Sequence, residues 1–152
     1  MSRLTQSRAT DFILLNGDNF YWDGVTSVDD PRFNQTFEST FRNDLPGFSD
    51  MEFFVVGGNH DYRGNMTAQI EYTNVQNRWK MPGLWYKINK TFGDFSVDIL
   101  MLDTNCLHES GYEERKVEHL KWIEDELVAS TADYLIVAGH HPIWSTAEQS
   151  RI

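Results

Sequence analysis

Apolar residues along this chain fall into short continuous runs separated by glycine, proline, asparagine and aspartate. Runs of this kind, bounded by turn residues, are typical of strands buried in a parallel sheet. They predict five strands, at residues 11–16, 52–57, 84–89, 96–102 and 134–138.

The segments between these strands have helical spacing. Helices are predicted at residues 32–41, where phenylalanine recurs every fourth position, at 67–79 and at 117–128. The last has one apolar face that is predicted to pack in the core, formed by Val117, Leu120, Ile123, Leu127 and Val128. The order β-α-β-α-β-β-α-β predicts an α/β fold with a hairpin inserted before the last unit.

Three of the predicted strands lead into a glycine followed by side chains that can bind metals. The motifs are GDNFY at 17–21, GNHD at 58–61 and GHHP at 139–142. Ligands bind beyond the carboxyl ends of strands in open α/β sheets, so the three motifs are expected to face one crevice. Each motif alone is more often a polar turn than a metal site. Their recurrence at three strand ends predicts a metal site.

Composition narrows the classes of partner. The 152 residues predict one domain, and 23 acidic against 13 basic side chains give a net charge of −10. Without a lysine or arginine cluster, neither nucleic acid nor an anionic membrane is expected as a partner. No apolar stretch approaches the roughly 20 residues that span a bilayer.

The single cysteine, Cys106, excludes an internal disulfide framework. Triplets at 34–36, 65–67 and 89–91 match the N-glycosylation pattern. They matter only if the chain enters the secretory route.

The ligand types indicate the metals. An ionised Asp18 can place one oxygen on each of two cations. In binuclear sites two such cations hold the attacking and the leaving oxygen of a displacement reaction. Tyr21 as a phenolate matches a strongly Lewis-acidic ion such as ferric iron. Asn59 and His140 offer an amide oxygen and an imidazole nitrogen, which suit zinc, iron(II) or manganese.

His60, next to Asn59, is predicted to be a hydrogen-bonding or proton-transfer partner rather than a ligand, with Asp61 orienting its imidazole. The other polar candidates are His108 and His119 as surface imidazoles, Asp103 as a turn or supporting residue, and His141 as a candidate rim residue pointing away from the ligands.

The three motifs resemble sequence blocks of the calcineurin-like metallophosphoesterases, and Tyr21 narrows the resemblance to the purple acid phosphatases. From Asp11 onward the chain is similar to the small, tartrate-resistant type. The further matching segments are 11–14, 32–33, 64–65, 68–70, 101–104 and 144–145.

The resemblance implies a role for each residue. Asp18 matches the carboxylate that bridges both metals, Tyr21 the phenolate on ferric iron whose charge transfer gives a purple colour, Asn59 and His140 ligands of a divalent ion, and His60 the substrate-contacting histidine. The implied cofactors are Fe(III) plus Fe(II), Zn or Mn. The implied reaction is acid hydrolysis of phosphate monoesters, either small molecules or phosphoproteins, by a secreted or lysosomal protein.

The chain also departs from the family pattern. Residues 1–10 contain no aspartate to match the family's early ligand, and no Gly-His-x-His block follows His141. Residues 1–152 are therefore expected to form a single partial domain, an αββα sandwich incomplete at both ends. Unpaired edges and uncovered apolar faces should follow.

Two function classes stay open. One is a binuclear acid phosphatase that works as part of a longer chain. The other is a non-catalytic remnant that binds one metal weakly or pairs with a partner.

Overall fold

The fold is described from a computed structural model, which covers residues 10–143. Its strands form two three-stranded sheets, in the orders β1-β2-β3 and β4-β5-β6. The strands are β1 Phe12–Asn16, β2 Glu52–Val56, β3 Trp79–Lys80, β4 Tyr86–Phe92, β5 Phe95–Met101 and β6 Tyr134–Ala138. The first sheet is parallel, whereas β4 and β5 form an antiparallel hairpin and β6 joins β5 in parallel. Trp144 and Ser145, quoted above for the resemblance, lie outside the described residues.

The helices differ from the prediction in two places. The described helices are a π-helix Phe33–Glu38, α1 Met66–Glu71, α2 Thr104–His108 and α3 Glu113–Ala129, with 3₁₀ turns at Asp61–Arg63 and Tyr72–Asn74. The helix predicted at 67–79 ends early, because Trp79 leaves it to pair with Phe53 of β2. The segment after β5, where no helix is predicted, begins with α2, which Asp103 caps by accepting a hydrogen bond from the Cys106 N–H.

The layers follow from the alternation of side chains along the strands. One face of the first sheet packs on the π-helix and α1, where Phe33 stacks on Tyr72 at 3.7 Å between ring centroids. Its other face, including Phe54, packs on Ile99 and neighbouring residues of the second sheet. α3 lies on the far side of that sheet. The order of layers is thus α, β, β, α, which confirms the predicted sandwich architecture.

Polar contacts place α3 against the second sheet. Lys87 of β4 contacts Asp98 of β5 at 2.8 Å and Glu126 of α3 at 3.1 Å. Ser130, directly after α3, donates to Asp98 at 2.7 Å. A single charged network therefore holds the helix on the outer face of this sheet.

α3 turns a different face inward from the one predicted. Val117, Leu120, Leu127 and Val128 are 44–82% exposed, and the one fully buried residue of the helix is His119. The prediction of an apolar core stripe is wrong here. Besides His119, the residues of the helix that are partly buried are Arg115, Trp122, Ile123 and Glu126.

The exposure of β6 also differs from the prediction. Its apolar run was predicted to be buried, yet Leu135, Ile136 and Val137 are 39–50% exposed. Within residues 10–143 this strand pairs on one side, with β5. The expected uncovered apolar face is present at this edge of the sheet. Among the described residues, no helix is both long and apolar enough to cross a bilayer.

Candidate functional site

The three glycine-led motifs meet at one edge of the fold. β1, β2 and β6 all end there, and the loops after them lie in contact. A Cβ on Gly17, whose φ is +88°, would lie 2.6 Å from Nδ1 of His140, and one on Gly58 would overlap Asp18. Glycine is therefore required at both positions for this close approach. The predicted common crevice is present.

Each of the four predicted metal ligands has a polar atom within 3.4 Å of another of the four. The Tyr21 hydroxyl donates to Oδ2 of Asp18 at 2.6 Å. Nε2 of His140 lies 3.4 Å from Oδ1 of Asp18 and 3.2 Å from Oδ1 of Asn59. Side chains from three separate loops thus converge on one point.

The ring of His140 is oriented by the main chain. Its Nδ1 lies 2.8 Å from the carbonyl oxygen of Asn16, which can only accept a hydrogen bond, so Nδ1 carries the proton. In the neutral ring, Nε2 then offers a lone pair toward the oxygens of Asp18 and Asn59. Three electron-pair donors facing one another are the arrangement that a bound cation would stabilise, so the residues fit a metal.

Asp18 is held in the ionised form. Its backbone has a φ of +53°, which aspartate adopts more readily than most residues. Burial alone would raise the pKa of the Asp18 carboxyl, but hydrogen bonds from the Tyr21 hydroxyl and the His60 N–H outweigh it and lower the pKa. The same bond to Asp18 raises the pKa of Tyr21. A cation bound by both side chains would take the place of the shared proton.

The cluster has an unusual composition for a metal site. Among residues 10–143, no group of three or more His, Cys, Asp and Glu side chains is placed to hold a metal ion. Asp18 and His140 supply a carboxylate and an imidazole, while Tyr21 and Asn59 supply a phenol and an amide. The candidate site therefore depends on the two less common ligand types.

Asp61 has a different role from the one predicted. Among the described residues, its carboxylate is not the hydrogen-bond partner of the His60 ring, whose Nδ1 contacts the Trp22 carbonyl. Instead, its buried carboxylate accepts hydrogen bonds from the N–H groups of Asn19, Phe20 and Gly58 and from Nε2 of Gln69, at 2.8–3.1 Å. Asp61 therefore ties the loop after β1 to the loop after β2.

The ring of His60 is oriented by Trp22 rather than by Asp61. Nδ1 of His60 lies 2.7 Å from the Trp22 carbonyl oxygen and donates to it, because a carbonyl cannot donate. Nε2 is the ring atom left to interact with a ligand. The ring also packs against Tyr21, at 4.5 Å between centroids.

An open cleft of about 610 Å³ surrounds the cluster. Besides the predicted residues it is lined by Arg63, His108, Glu109, His141 and Pro142. His108, predicted to be an ordinary surface residue, forms part of this wall, and its ring lies 5.0 Å from that of His141. His141, predicted to be a rim residue that points away from the ligand His140, lines the same cleft as His140. Burial, and then the neighbouring His140 and His108, lower the pKa of His141.

Two residues outside the motifs carry buried polar contacts. Asp103 also accepts a hydrogen bond from the Tyr62 hydroxyl, so it joins the 3₁₀ turn to α2 as a supporting residue. His119, predicted to be exposed, is fully buried and stacks on Trp85 at 4.4 Å. Its Nε2 has no hydrogen-bond partner, and burial lowers the pKa of this ring to about 4.

The fold is that of a metallophosphoesterase. The chain belongs to the calcineurin-like phosphoesterase family, whose model matches residues 2–151. Relatives that it matches include purple acid phosphatases. It is 37% identical to human tartrate-resistant acid phosphatase type 5 and 39% identical to the pig protein, over 97% and 91% of this chain. It is 30% identical to purple acid phosphatase 7 of Arabidopsis thaliana over 88% of the chain. The resemblance seen in the motifs is confirmed.

These relatives are longer proteins. The alignments cover 49% of the human protein and 44% of the pig and Arabidopsis proteins, so the chain spans about half the length of the relatives it matches. Among solved structures, GAP50, described as the anchor in the inner membrane complex of Plasmodium, superposes with a TM-score of 0.82 at 25% identity. That superposition covers 98% of this chain and 50% of GAP50.

Proposed function

We propose that this chain carries part of the active site of a binuclear acid phosphatase that hydrolyses phosphate monoesters. The observation that carries the proposal is the convergence of Asp18, Tyr21, Asn59 and His140, with 2.6–3.4 Å between neighbouring donor atoms. Homology to acid phosphatases supports the reaction class. The substrate is proposed to be a small phosphomonoester or a phosphoprotein.

The residues divide into two sets of ligands. Asp18 and Tyr21 would hold Fe(III), and Asp18, Asn59 and His140 would hold a divalent ion, Fe(II), Zn or Mn. When bound, the metals lower the pKa of water and neutralise charge on the phosphate. Asp18, whose carboxyl pKa is lowered and which is ionised at neutral pH, would contribute to both sets.

His60 is proposed to contact the substrate. Because its Nδ1–H is engaged by the Trp22 carbonyl, its Nε2 is the atom that exchanges a proton or hydrogen bond with the phosphate or leaving group. The open cleft gives a phosphate ester access to this atom.

The proposed enzyme is longer than these 152 residues. The half-length match to the relatives and the exposed apolar face of β6 both support this. A secreted or lysosomal location is proposed on the same homology. Asn34, Asn65 and Asn89 are exposed, as glycosylated asparagines must be.

The test is hydrolysis of 4-nitrophenyl phosphate with added iron and zinc. Both the 152-residue chain and the longest open reading frame that contains it should be assayed. We expect turnover by the longer protein and little by the shorter one. Asp18→Asn should abolish turnover, while Asp50→Asn, on the exposed surface, should leave it intact. Strong turnover by the 152-residue chain would refute the need for further segments.

A second candidate is a non-catalytic anchoring or pairing protein. GAP50 is described as an anchor, and the apolar surface of β6 is suited to a protein contact. This candidate predicts no turnover by the longer reading frame under any metal supply. The same assay therefore separates the two functions.

A further inference from the structure

Thr104 is the first residue of α2 and faces the loop that carries His140. Its Oγ1 lies 3.2 Å from the N–H nitrogen of His140 and 3.0 Å from that of His141. The same oxygen lies 2.9 Å from Nδ1 of His141. One hydroxyl thus contacts three polar groups of the GHHP motif.

The hydrogen-bond capacity of a hydroxyl decides the direction of each contact. A threonine hydroxyl has two lone pairs and one proton. The two backbone N–H groups can only donate, so they occupy both lone pairs. The proton of Thr104 is left for Nδ1 of His141, which must accept it. A neutral His141 therefore carries its own proton on Nε2, and Nε2–H is the polar group that remains for a ligand in the cleft.

The methyl group of Thr104 is equally constrained. A Cβ on Gly139 would lie 2.5 Å from Cγ2 of Thr104, so the start of α2 and the end of β6 are in direct contact. The ring of His140 is held on its other side by the Asn16 carbonyl. His140 is therefore fixed through its ring by β1 and through its backbone by Thr104.

We propose that Thr104 is a positioning residue, whose hydroxyl holds His140 in place as a metal ligand and orients His141 with Nε2–H available to the substrate phosphate. The contribution to metal binding and phosphate contact rests on the function proposed above. The hydrogen bonds to the loop and the tautomer of His141 do not depend on it. No glycine-led motif contains Thr104.

Two variants isolate the hydroxyl. Thr104→Ser and Thr104→Ala both lack the methyl group that packs on Gly139, and they differ in the hydroxyl alone. Zn²⁺ affinity of the metal-free protein should fall about 10- to 100-fold in Thr104→Ala, the usual effect of losing a residue that orients a ligand. Thr104→Ser should stay within about threefold of the unmodified protein, since it keeps all three hydrogen bonds.

A second readout needs neither metal nor turnover. Nitrogen chemical shifts of His141 should report the Nε2–H tautomer in the unmodified protein and in Thr104→Ser, and a mixture in Thr104→Ala. Amide exchange at His140 and His141 should be faster in the alanine variant. Should that variant unfold, Thr104→Val, which retains the branched shape, replaces it in the same comparisons.

The outcomes separate the two proposals. Absence of Zn²⁺ binding by the unmodified protein, with the tautomer as expected, would reject the metal site and retain the role of Thr104 in ordering the loop. An Nδ1–H tautomer of His141, or equal Zn²⁺ affinity and equal exchange in the serine and alanine variants, would overturn the assignment of Thr104.

Discussion

Strands β2 and β6 differ sharply in how they are covered. In β2, residues Phe53 to Val56 are all at most 8% exposed, because helices cover one face of the sheet and the second sheet covers the other. In β6, Tyr134 to Val137 are 39–60% exposed. Yet both strands end in the candidate site. Asn59 therefore stands on a scaffold fixed by packing, while His140 depends on individual hydrogen bonds to Asn16 and Thr104.

The largest expected effect is a loss of stability, compared between a buried position and a partly exposed one. Phe53→Ala, at a fully buried position of β2, should lower the free energy of unfolding by about 3–5 kcal/mol, through lost contacts and a cavity. Phe95→Ala, where the ring is 40% exposed on β5, should cost less, about 1–2 kcal/mol. Urea unfolding measures both. Equal losses would contradict the contrast between the buried and the partly exposed position.

The second prediction concerns pH and the buried His119. Burial lowers the pKa of His119 to about 4, from an ordinary value of 6.5 that the unfolded chain retains. The fold accommodates the neutral ring of His119, so the contribution of this ring to the free energy of unfolding is fully present above pH 6.5. As the pH falls from 6.5 to 4, the unfolded chain takes up a proton first, and stability should decline by up to about 3 kcal/mol.

His119→Gln supplies the control, because glutamine does not titrate. Urea unfolding at pH 7.5 and pH 4.5 should differ more for the unmodified protein than for this variant. An identical pH dependence in the two proteins would show that His119 is not the group responsible.

The third prediction tests the close approach of the loops. A Cβ on Gly58 would lie 2.9 Å from Cε1 of His140 and would also overlap Asp18. Gly58→Ala should therefore weaken Zn²⁺ binding about tenfold or more, in the range expected when ligands are displaced. Gly83→Ala, whose added Cβ would meet its nearest neighbour at 3.4 Å, should leave binding unchanged. Isothermal titration of both variants measures the difference.

The smallest expected effect is the change in stability when valine is replaced by threonine in β2 and in β6. Val55→Thr places a hydroxyl in a fully buried position of β2 and should cost about 1–3 kcal/mol. Val137→Thr makes the same change where the side chain is 50% exposed, and should alter stability by about 0.5 kcal/mol or less. Thermal unfolding of the pair is a sensitive measurement. A larger loss at Val137 would mean that β6 is covered in solution.

The sequence predicted the site better than the surroundings of the site. The motifs at 17–21, 58–61 and 139–142 could be placed together because parallel strands end at a common edge and glycine permits close contact. The exposure of β6 could not be predicted, because an apolar run has the same pattern whether or not a neighbour covers it. The same holds for the outward apolar residues of α3.

Residues that support the site were harder to find. Thr104 follows a strand without a glycine, and its role depends on a loop 36 residues away in sequence. His119 appeared polar and exposed on a helix whose inward face carries few apolar residues. Asp61 was recognised as important, but its N–H donors come from a turn whose shape no local pattern determines. Tertiary contacts decided each case.

The most direct test of the account is the visible absorption spectrum after Fe(III) is added. If Tyr21 is a phenolate ligand beside Asp18, the iron-loaded protein, as the longest available reading frame, should show a charge-transfer band in the visible region. Tyr21→Phe should abolish that band, while Tyr134→Phe, at an exposed position of β6, should retain it. A band that persists undiminished in Tyr21→Phe, or that never forms in the unmodified protein, would contradict the proposed metal centre.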